Sequence, residues 1–116
     1  MIRNVEGASN PILGTSDGVP NYVMLYVQHE PGASSAHHTH AWEHQAFIVE
    51  GSGILWVDGK EYPIKTGDAV LVPPGSEQHF TNTGDVMLSR APVNPLRSFV
   101  GGGQTTMRDE QVVAQV

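Results

Sequence analysis

Residues 32–44 read GASSAHHTHAWEH, and this stretch holds four of the six histidines of the chain within eight residues. Neutral imidazole is the commonest protein ligand for divalent transition metals. In a β-strand, side chains two residues apart point to the same face, so His38 and His40 are expected to share one. A tight turn at residues 42–43 would let His44 open the returning strand on that face. The stretch therefore predicts a β-hairpin that supplies three imidazoles to one metal ion.

A fourth ligand has to come from elsewhere in the chain. His79 is the only histidine that follows His44, and it comes shortly after residues 67–75, GDAVLVPPG. Glycine and proline at those positions are typical of turns between short strands. We therefore expect a remote strand to complete the site.

These two stretches resemble the two motifs of the cupin superfamily. The first motif is glycine, five residues, His-x-His, three residues, a ligand, six residues and glycine; residues 32–51 match it with Gly32, His38, His40, His44 and Gly51. The second is glycine, five residues, Pro-x-Gly, two residues, His, three residues and Asn; residues 67–82 match it with Gly67, Pro73, Gly75 and Asn82. The resemblance covers about residues 22–92. It implies a single-domain jelly-roll barrel, the double-stranded β-helix.

The first motif departs from the usual pattern at its third ligand. His44 stands where most cupins have glutamate, and Glu43 lies one residue earlier. The chain thus resembles the small manganese-type cupins whose site is built from histidines alone. Glu43 either holds a ligand histidine through a hydrogen bond, as metal sites require, or is a solvated turn residue.

The second motif is displaced by one residue. Counting from Gly75 or back from Asn82 places Gln78, not His79, at the ligand position. An amide oxygen is a weaker ligand than imidazole for most late first-row metals. A β-bulge near residues 76–77 would turn His79 inward. We favour His79 as the fourth ligand and keep Gln78 as the alternative.

In the rest of the chain, turn residues separate short expected strands, as is typical of an all-β domain. Asp58-Gly59 predicts a type I′ hairpin turn. Strands are expected at 22–29, 44–49, 54–57, 69–72, 79–81 and 86–91. We assign residues 1–100 to the barrel and residues 101–116 to a C-terminal tail. The tail begins with three glycines, which form a flexible joint, and its remaining residues could form a short, marginally stable helix. The resemblance further implies a homodimer that exchanges an N-terminal strand.

Composition narrows the function classes. A net charge of −6 without a Lys/Arg cluster argues against nucleic acid. The chain has no cysteine, which excludes disulfides and thiolate metal sites. The longest apolar run, residues 22–27, is too short to cross a membrane, and residues 1–6 lack a signal-peptide core. We therefore expect a cytoplasmic protein that acts on a small molecule.

Four neutral ligands would leave the full charge of a divalent ion in place, with two adjacent open positions on an octahedral metal. Manganese and iron suit this pattern best; nickel, copper and zinc also fit. The resemblance favours a metal-dependent dioxygenase-type enzyme. The alternatives are a non-redox isomerase, cyclase or lyase that stabilises an enolate, and a non-catalytic metal- or ligand-binding domain. The sequence assigns no general base.

Overall fold

The structure is a computed structural model and describes residues 1–96. Nine strands run through this range: β1 (Tyr22–Met24), β2 (Val27–His29), β3 (His38–Thr39), β4 (His44–Glu50), β5 (Ser52–Val57), β6 (Lys60–Lys65), β7 (Ala69–Val72), β8 (Glu77–Asn82) and β9 (Leu88–Pro95). The helical part of the range is one 3₁₀ turn, Thr15–Asp17. Residues 97–100 of the predicted barrel and the predicted tail, 101–116, lie outside the described residues.

The strands form two antiparallel sheets. One has the order β1-β9-β4-β7, with β2 also paired to β9, and the other has the order β3-β8-β5-β6. This confirms the predicted all-β class. Within residues 1–96, no helix is long and apolar enough to span a membrane.

Strict alternation of side chains builds the core. In β4 the side chains of His44, Ala46 and Ile48 are buried while their neighbours are exposed, as the period of two predicts. Burying apolar surface on facing sheets is the main driving force for such a sandwich. The largest apolar cluster lies between the sheets and consists of Ile48, Leu55, Ile64, Val72, Phe80 and Leu88.

The predicted histidine hairpin is wrong in its pairing. β3 pairs with β8, whereas β4 pairs with β7 and β9, so the two strands belong to different sheets. The segment between them is a corner where the chain crosses from one sheet to the other. Residue alternation predicts which face a side chain takes, but it does not tell a tight hairpin from such a crossing.

The strand expected at 22–29 is divided into β1 and β2. The turn at Asp58-Gly59 is as predicted, because both residues have positive φ, 47° and 89°. That conformation is what a type I′ hairpin requires.

A polar group is buried beside the apolar core. Arg90 is 0% exposed, its Nε donates to Nε2 of His29 at 3.2 Å, and its guanidinium carbon lies 4.1 Å from the centre of the Phe80 ring. Burial lowers the pKa of Arg90 to about 9, which leaves it charged at neutral pH. Burial, followed by the Arg90 charge, lowers the pKa of His29 to about 4, so this imidazole is neutral.

Asn82 of the second motif is a structural residue. Its Nδ2 donates to the carbonyl oxygens of His29 and Val86, both at 2.8 Å, and its Oδ1 accepts from the backbone N–H of Gly84 at 2.9 Å. Asn82 therefore ties the end of β8 to β2 and to the turn that leads into β9.

Replacing Gly53 by alanine should strongly destabilise the barrel. A Cβ at this position of β5 would collide with the carbonyl oxygen of Thr81 in the paired strand. Overpacking of this kind costs about 1–3 kcal/mol in the free energy of unfolding. Urea denaturation measures the loss of stability in Gly53→Ala. The control is Ser52→Ala, which changes an exposed neighbour and should alter the free energy of unfolding by less than about 0.5 kcal/mol. Equal stability of the two variants would refute the close approach.

The His29→Gln variant should show a weaker dependence of stability on pH. The pKa of His29 is about 4 in the folded chain and near 6.5 when unfolded. As pH falls through this window the unfolded chain takes up the proton first, so wild-type stability is full above about pH 6.5 and declines towards pH 4. One proton of difference corresponds to a slope of about 1.4 kcal/mol per pH unit.

The measurement is urea denaturation of both proteins at pH 7, 5.5 and 4.5. Glutamine keeps an acceptor for the Arg90 Nε, so a flatter slope in the variant reports the lost titration. The same slope in both proteins would mean that His29 is protonated alike in the folded and unfolded states.

Candidate metal centre

The corner between β3 and β4 brings three histidines to the interior. His38 lies in β3, His40 in the corner and His44 at the start of β4, and they are 8%, 3% and 2% exposed. The ring centres of His38 and His40 are 5.8 Å apart, and those of His40 and His44 are 6.1 Å apart. The sequence prediction that these three residues share an interior wall agrees with their placement.

Trp42 shapes this corner. It is 1% exposed, and its indole stacks on the His40 ring at 4.7 Å with an angle of 17° between the planes. The backbone N–H of Gly75 donates to the carbonyl oxygen of His40 at 2.7 Å. The corner is therefore held by a side-chain contact with Trp42 and by a backbone hydrogen bond from Gly75.

Burial keeps the imidazoles of His40 and His44 neutral. Burial, followed by the influence of His38, lowers the pKa of His40 to about 4. Burial, followed by the Arg90 charge and His40, lowers the pKa of His44 to about 3. At neutral pH both rings offer a nitrogen lone pair, the state in which imidazole binds a metal.

Gln78 faces the same interior. It pairs directly with His38 across β3 and β8, and it is 4% exposed. Its Oε1 is buried and makes no hydrogen bond with any residue in the range 1–96. β8 pairs with β5 in unbroken register from Gln78 to Asn82, without the bulge that would have turned His79 inward.

His79 lies on the opposite, outer face of β8. Its ring stacks on His37 at 3.9 Å and lies 5.4 Å from the Trp56 ring. His37 in turn contacts the carboxylate of Glu77 at 3.0 Å. Burial, followed by the nearby His37, lowers the pKa of His79. The structure thus separates His79 from His38, His40 and His44, and it brings Gln78 to them instead.

Glu43 is exposed and accepts a hydrogen bond from the side-chain amide of Gln45. No hydrogen bond from Glu43 to a histidine is present among the described residues. Its placement matches the solvated turn residue, the second of the two readings.

Sequence reasoning missed the contribution of β9. Leu88, Arg90, Pro92 and Asn94 of this strand are all buried, and Ser89 between the first two is buried as well. Arg90 and Asn94 are both 0% exposed and lie on the interior face. The sequence carries no local signal for this, because the inward positions 88, 90, 92 and 94 hold Leu, Arg, Pro and Asn, and the strand expected at 86–91 ended before Asn94.

Among residues 1–96, the buried polar side chains include no acidic one. The buried polar residues within 1–96 are His29, Ser35, His38, His40, His44, Gln78, Asn82, Ser89, Arg90 and Asn94. Arg90 adds one positive charge to this set. The interior described by these residues is thus suited to a cation held by neutral donors and to an anion beside it.

Within the described chain, no group of three or more His, Cys, Asp or Glu side chains is arranged closely enough to hold a metal ion. The rings of His38 and His40 are almost parallel, 9° apart, and so do not aim at one point. The donor set fits a metal chemically, because His40 and His44 are neutral and the Gln78 oxygen is buried without a hydrogen-bond partner among residues 1–96. Its rings would have to turn towards a common point to bind one.

Comparison with solved structures supports the fold. The 1.2 Å structure of the polyketide cyclase RemF from Streptomyces resistomycificus matches with a TM-score of 0.70 and 23% identity, over 89% of this chain and 80% of that chain. The crystal structure of a predicted oxalate decarboxylase from Thermotoga maritima matches with a TM-score of 0.58 and 30% identity. That match covers 61% of this chain and 63% of that chain, less than two thirds of its length.

Two proteins are related to this chain by sequence. An oxalate-binding protein of Thermotoga maritima is 29% identical over 94 residues, which cover 75% of this chain and 78% of its own. Protein SchB of Streptomyces halstedii is 27% identical over 107 residues, 88% of this chain and 77% of its own. The family described as Cupin domain matches residues 25–89, more than half of the chain. With both motifs inside or beside that match and the two-sheet barrel around them, the chain belongs to the cupin family.

Proposed function

We propose that this cupin binds one divalent transition metal ion and uses it to hold a small anionic, oxygen-rich organic molecule. The observation that carries the proposal is the composition of the interior wall: three buried imidazoles, of which His40 and His44 are neutral, and a carboxamide, with no buried carboxylate within residues 1–96. Neutral donors leave the charge of the ion uncompensated, so an anion is the favoured guest.

The proposed ligands are His38, His40, His44 and Gln78. Gln78 takes the place we expected for His79, because it lies opposite His38 in the ladder and its Oε1 is buried without a partner among the described residues. His79 would have to leave its stack with His37 and cross the sheet to reach the interior. Manganese and iron remain the preferred ions, and nickel, copper and zinc also fit nitrogen and oxygen donors.

Arg90 supports the choice of an anionic guest. It lies in β9, is wholly buried, and acts electrostatically on His44. A guanidinium inside a barrel favours carboxylate or enolate oxygens, which it recognises through several N–H donors. His29 stays neutral beside it and accepts one of those donors, which orients the group.

Among reaction classes, we favour non-redox chemistry over the dioxygenase-type reaction that the family resemblance implied. A bound divalent ion supplies Lewis acidity, which polarises a carbonyl and stabilises the enolate or carboxylate formed next to it. The names of an oxalate-binding protein and of a predicted oxalate decarboxylase, both of Thermotoga maritima, support a small dicarboxylate as the guest. Oxalate is a small dianion that chelates metals through two oxygens.

The homodimer remains a proposal. Residues 12 and 13 bond to Met24 of the same chain, which places the N-terminal segment along β1. Large apolar side chains on the outer surface of the first sheet include Tyr22, Phe47 and Leu71, which are 64%, 50% and 62% exposed. Light scattering on the purified chain tests the expected mass of two subunits.

The proposed ligand set predicts a specific pattern of metal loss. In calorimetric titrations with Mn²⁺ or Zn²⁺, His44→Ala and Gln78→Ala should each weaken binding by on the order of tenfold or more, because each removes a donor. His79→Ala is the matched control and should bind like the wild type. Loss of binding in His79→Ala, with Gln78→Ala unaffected, would assign the fourth position to His79.

The proposed guest predicts metal-dependent anion binding. Oxalate should bind the metal-loaded wild type saturably with a stoichiometry of one, and it should not bind metal-free protein or His44→Ala. Calorimetry on all three samples measures this. Equal oxalate binding with and without metal would contradict the proposal.

A screen of small carboxylates and enolisable ketones with the loaded enzyme should then give product without oxygen uptake. Stoichiometric oxygen consumption would instead favour the dioxygenase reaction. Binding without any product would favour a non-catalytic ligand-binding domain.

A further inference from the structure

Asn94 is the residue of β9 that stands beside His44. In the antiparallel ladder of β4 and β9, Gln45 pairs with Val93. The next rung therefore sets His44 against Asn94. Both side chains are buried, at 2% and 0% exposure, so both point to the interior of the barrel.

The carboxamide of Asn94 is buried and lacks hydrogen-bond partners among residues 1–96. Neither Nδ2 nor Oδ1 makes a hydrogen bond with any residue in the described part of the chain, and the same holds for Nδ1 of His44. Leaving a buried polar group without a partner is destabilising. The contact between the two side chains is close enough to raise the pKa of His44 against the larger lowering by burial, but it lacks full hydrogen-bond geometry.

A histidine that binds a metal has one nitrogen on the ion and an N–H on the other, and that N–H needs an acceptor. The described side chains that act on His44 are Phe80, Arg90, His38, His40 and Asn94. Of these, Asn94 alone carries an acceptor oxygen, whereas Arg90 only donates and Phe80 is apolar. A small rotation of either side chain would turn the existing contact into a hydrogen bond.

We propose that Asn94 is a positioning residue of the metal centre. Its Oδ1 accepts the N–H of His44, which fixes the imidazole in one tautomer and leaves the other nitrogen for the ion. This inference rests on the proposed function, because it assumes that His44 is a metal ligand. It extends that function to β9, a strand outside both sequence motifs.

The first test needs no metal. Nitrogen-15 NMR of the imidazoles distinguishes the two neutral tautomers, so we expect one tautomer of His44 in the metal-free wild type and a mixture of both in Asn94→Leu. Leucine keeps the approximate volume of asparagine and removes the acceptor. The same tautomer distribution in both proteins would overturn the inference.

The second test is the affinity for Mn²⁺ or Zn²⁺ measured by calorimetry. Asn94→Leu should bind about 10–100-fold more weakly, as is typical when the partner of a ligand histidine is lost. Asn94→Asp, which keeps the acceptor, should restore most of the affinity. Ser89→Ala is the control for disturbance of β9, since Ser89 is also buried but lies at the other end of the strand.

Thermal unfolding of each variant separates folding from positioning. If Asn94→Leu does not fold, Asn94→Ala replaces it in both tests. A wild type that binds no metal would end the proposed function, while the tautomer comparison would still decide the role of Asn94. A wild type that binds metal, with Asn94→Leu binding equally well, would overturn only the positioning role.

Discussion

The burial of three imidazoles at one corner of the barrel is the constraint on which the site depends. His38, His40 and His44 are brought together because the chain crosses there from one sheet to the other. Their burial depresses the pKa values of His40 and His44 far below the ordinary value of histidine. An imidazole that stays neutral at pH 7 keeps a nitrogen lone pair, which is the form that binds a metal ion. We propose that a divalent cation binds at this corner.

Contacts with surrounding residues hold this corner in place. Trp42 packs flat on His40, Gly75 holds the backbone of the corner, and Asn82 ties the strand of Gln78 to β2. The apolar cluster of β4, β5, β6, β7, β8 and β9 fills the space between the sheets. Arg90 and Asn94 complete the polar wall from β9. The interior thus divides into an apolar part that stabilises the fold and a polar part that holds the proposed metal site.

Much of this could be predicted from the sequence because it depends on local alternation. The inward direction of His38, His44, Ala46 and Ile48 and the turn at Asp58-Gly59 follow from rules that span a few residues. The pairing of β3 was wrong because no local signal distinguishes a hairpin from a sheet crossing. His79 was favoured as a ligand on chemical grounds, whereas the unbroken register of β8 and β5 places Gln78 inward. Arg90 and Asn94 were missed because their contacts reach over tens of residues of sequence.

We propose that His38, His40, His44 and Gln78 converge on one cation. Anomalous diffraction from a crystal of the protein loaded with Mn²⁺ or Zn²⁺, recorded at the absorption edge of the metal, tests it most directly. We predict one strong peak about 2.0–2.3 Å from a nitrogen of each of His38, His40 and His44 and from Oε1 of Gln78. A peak only at the outer face beside His37 and His79, or no ordered peak at full loading, would contradict it.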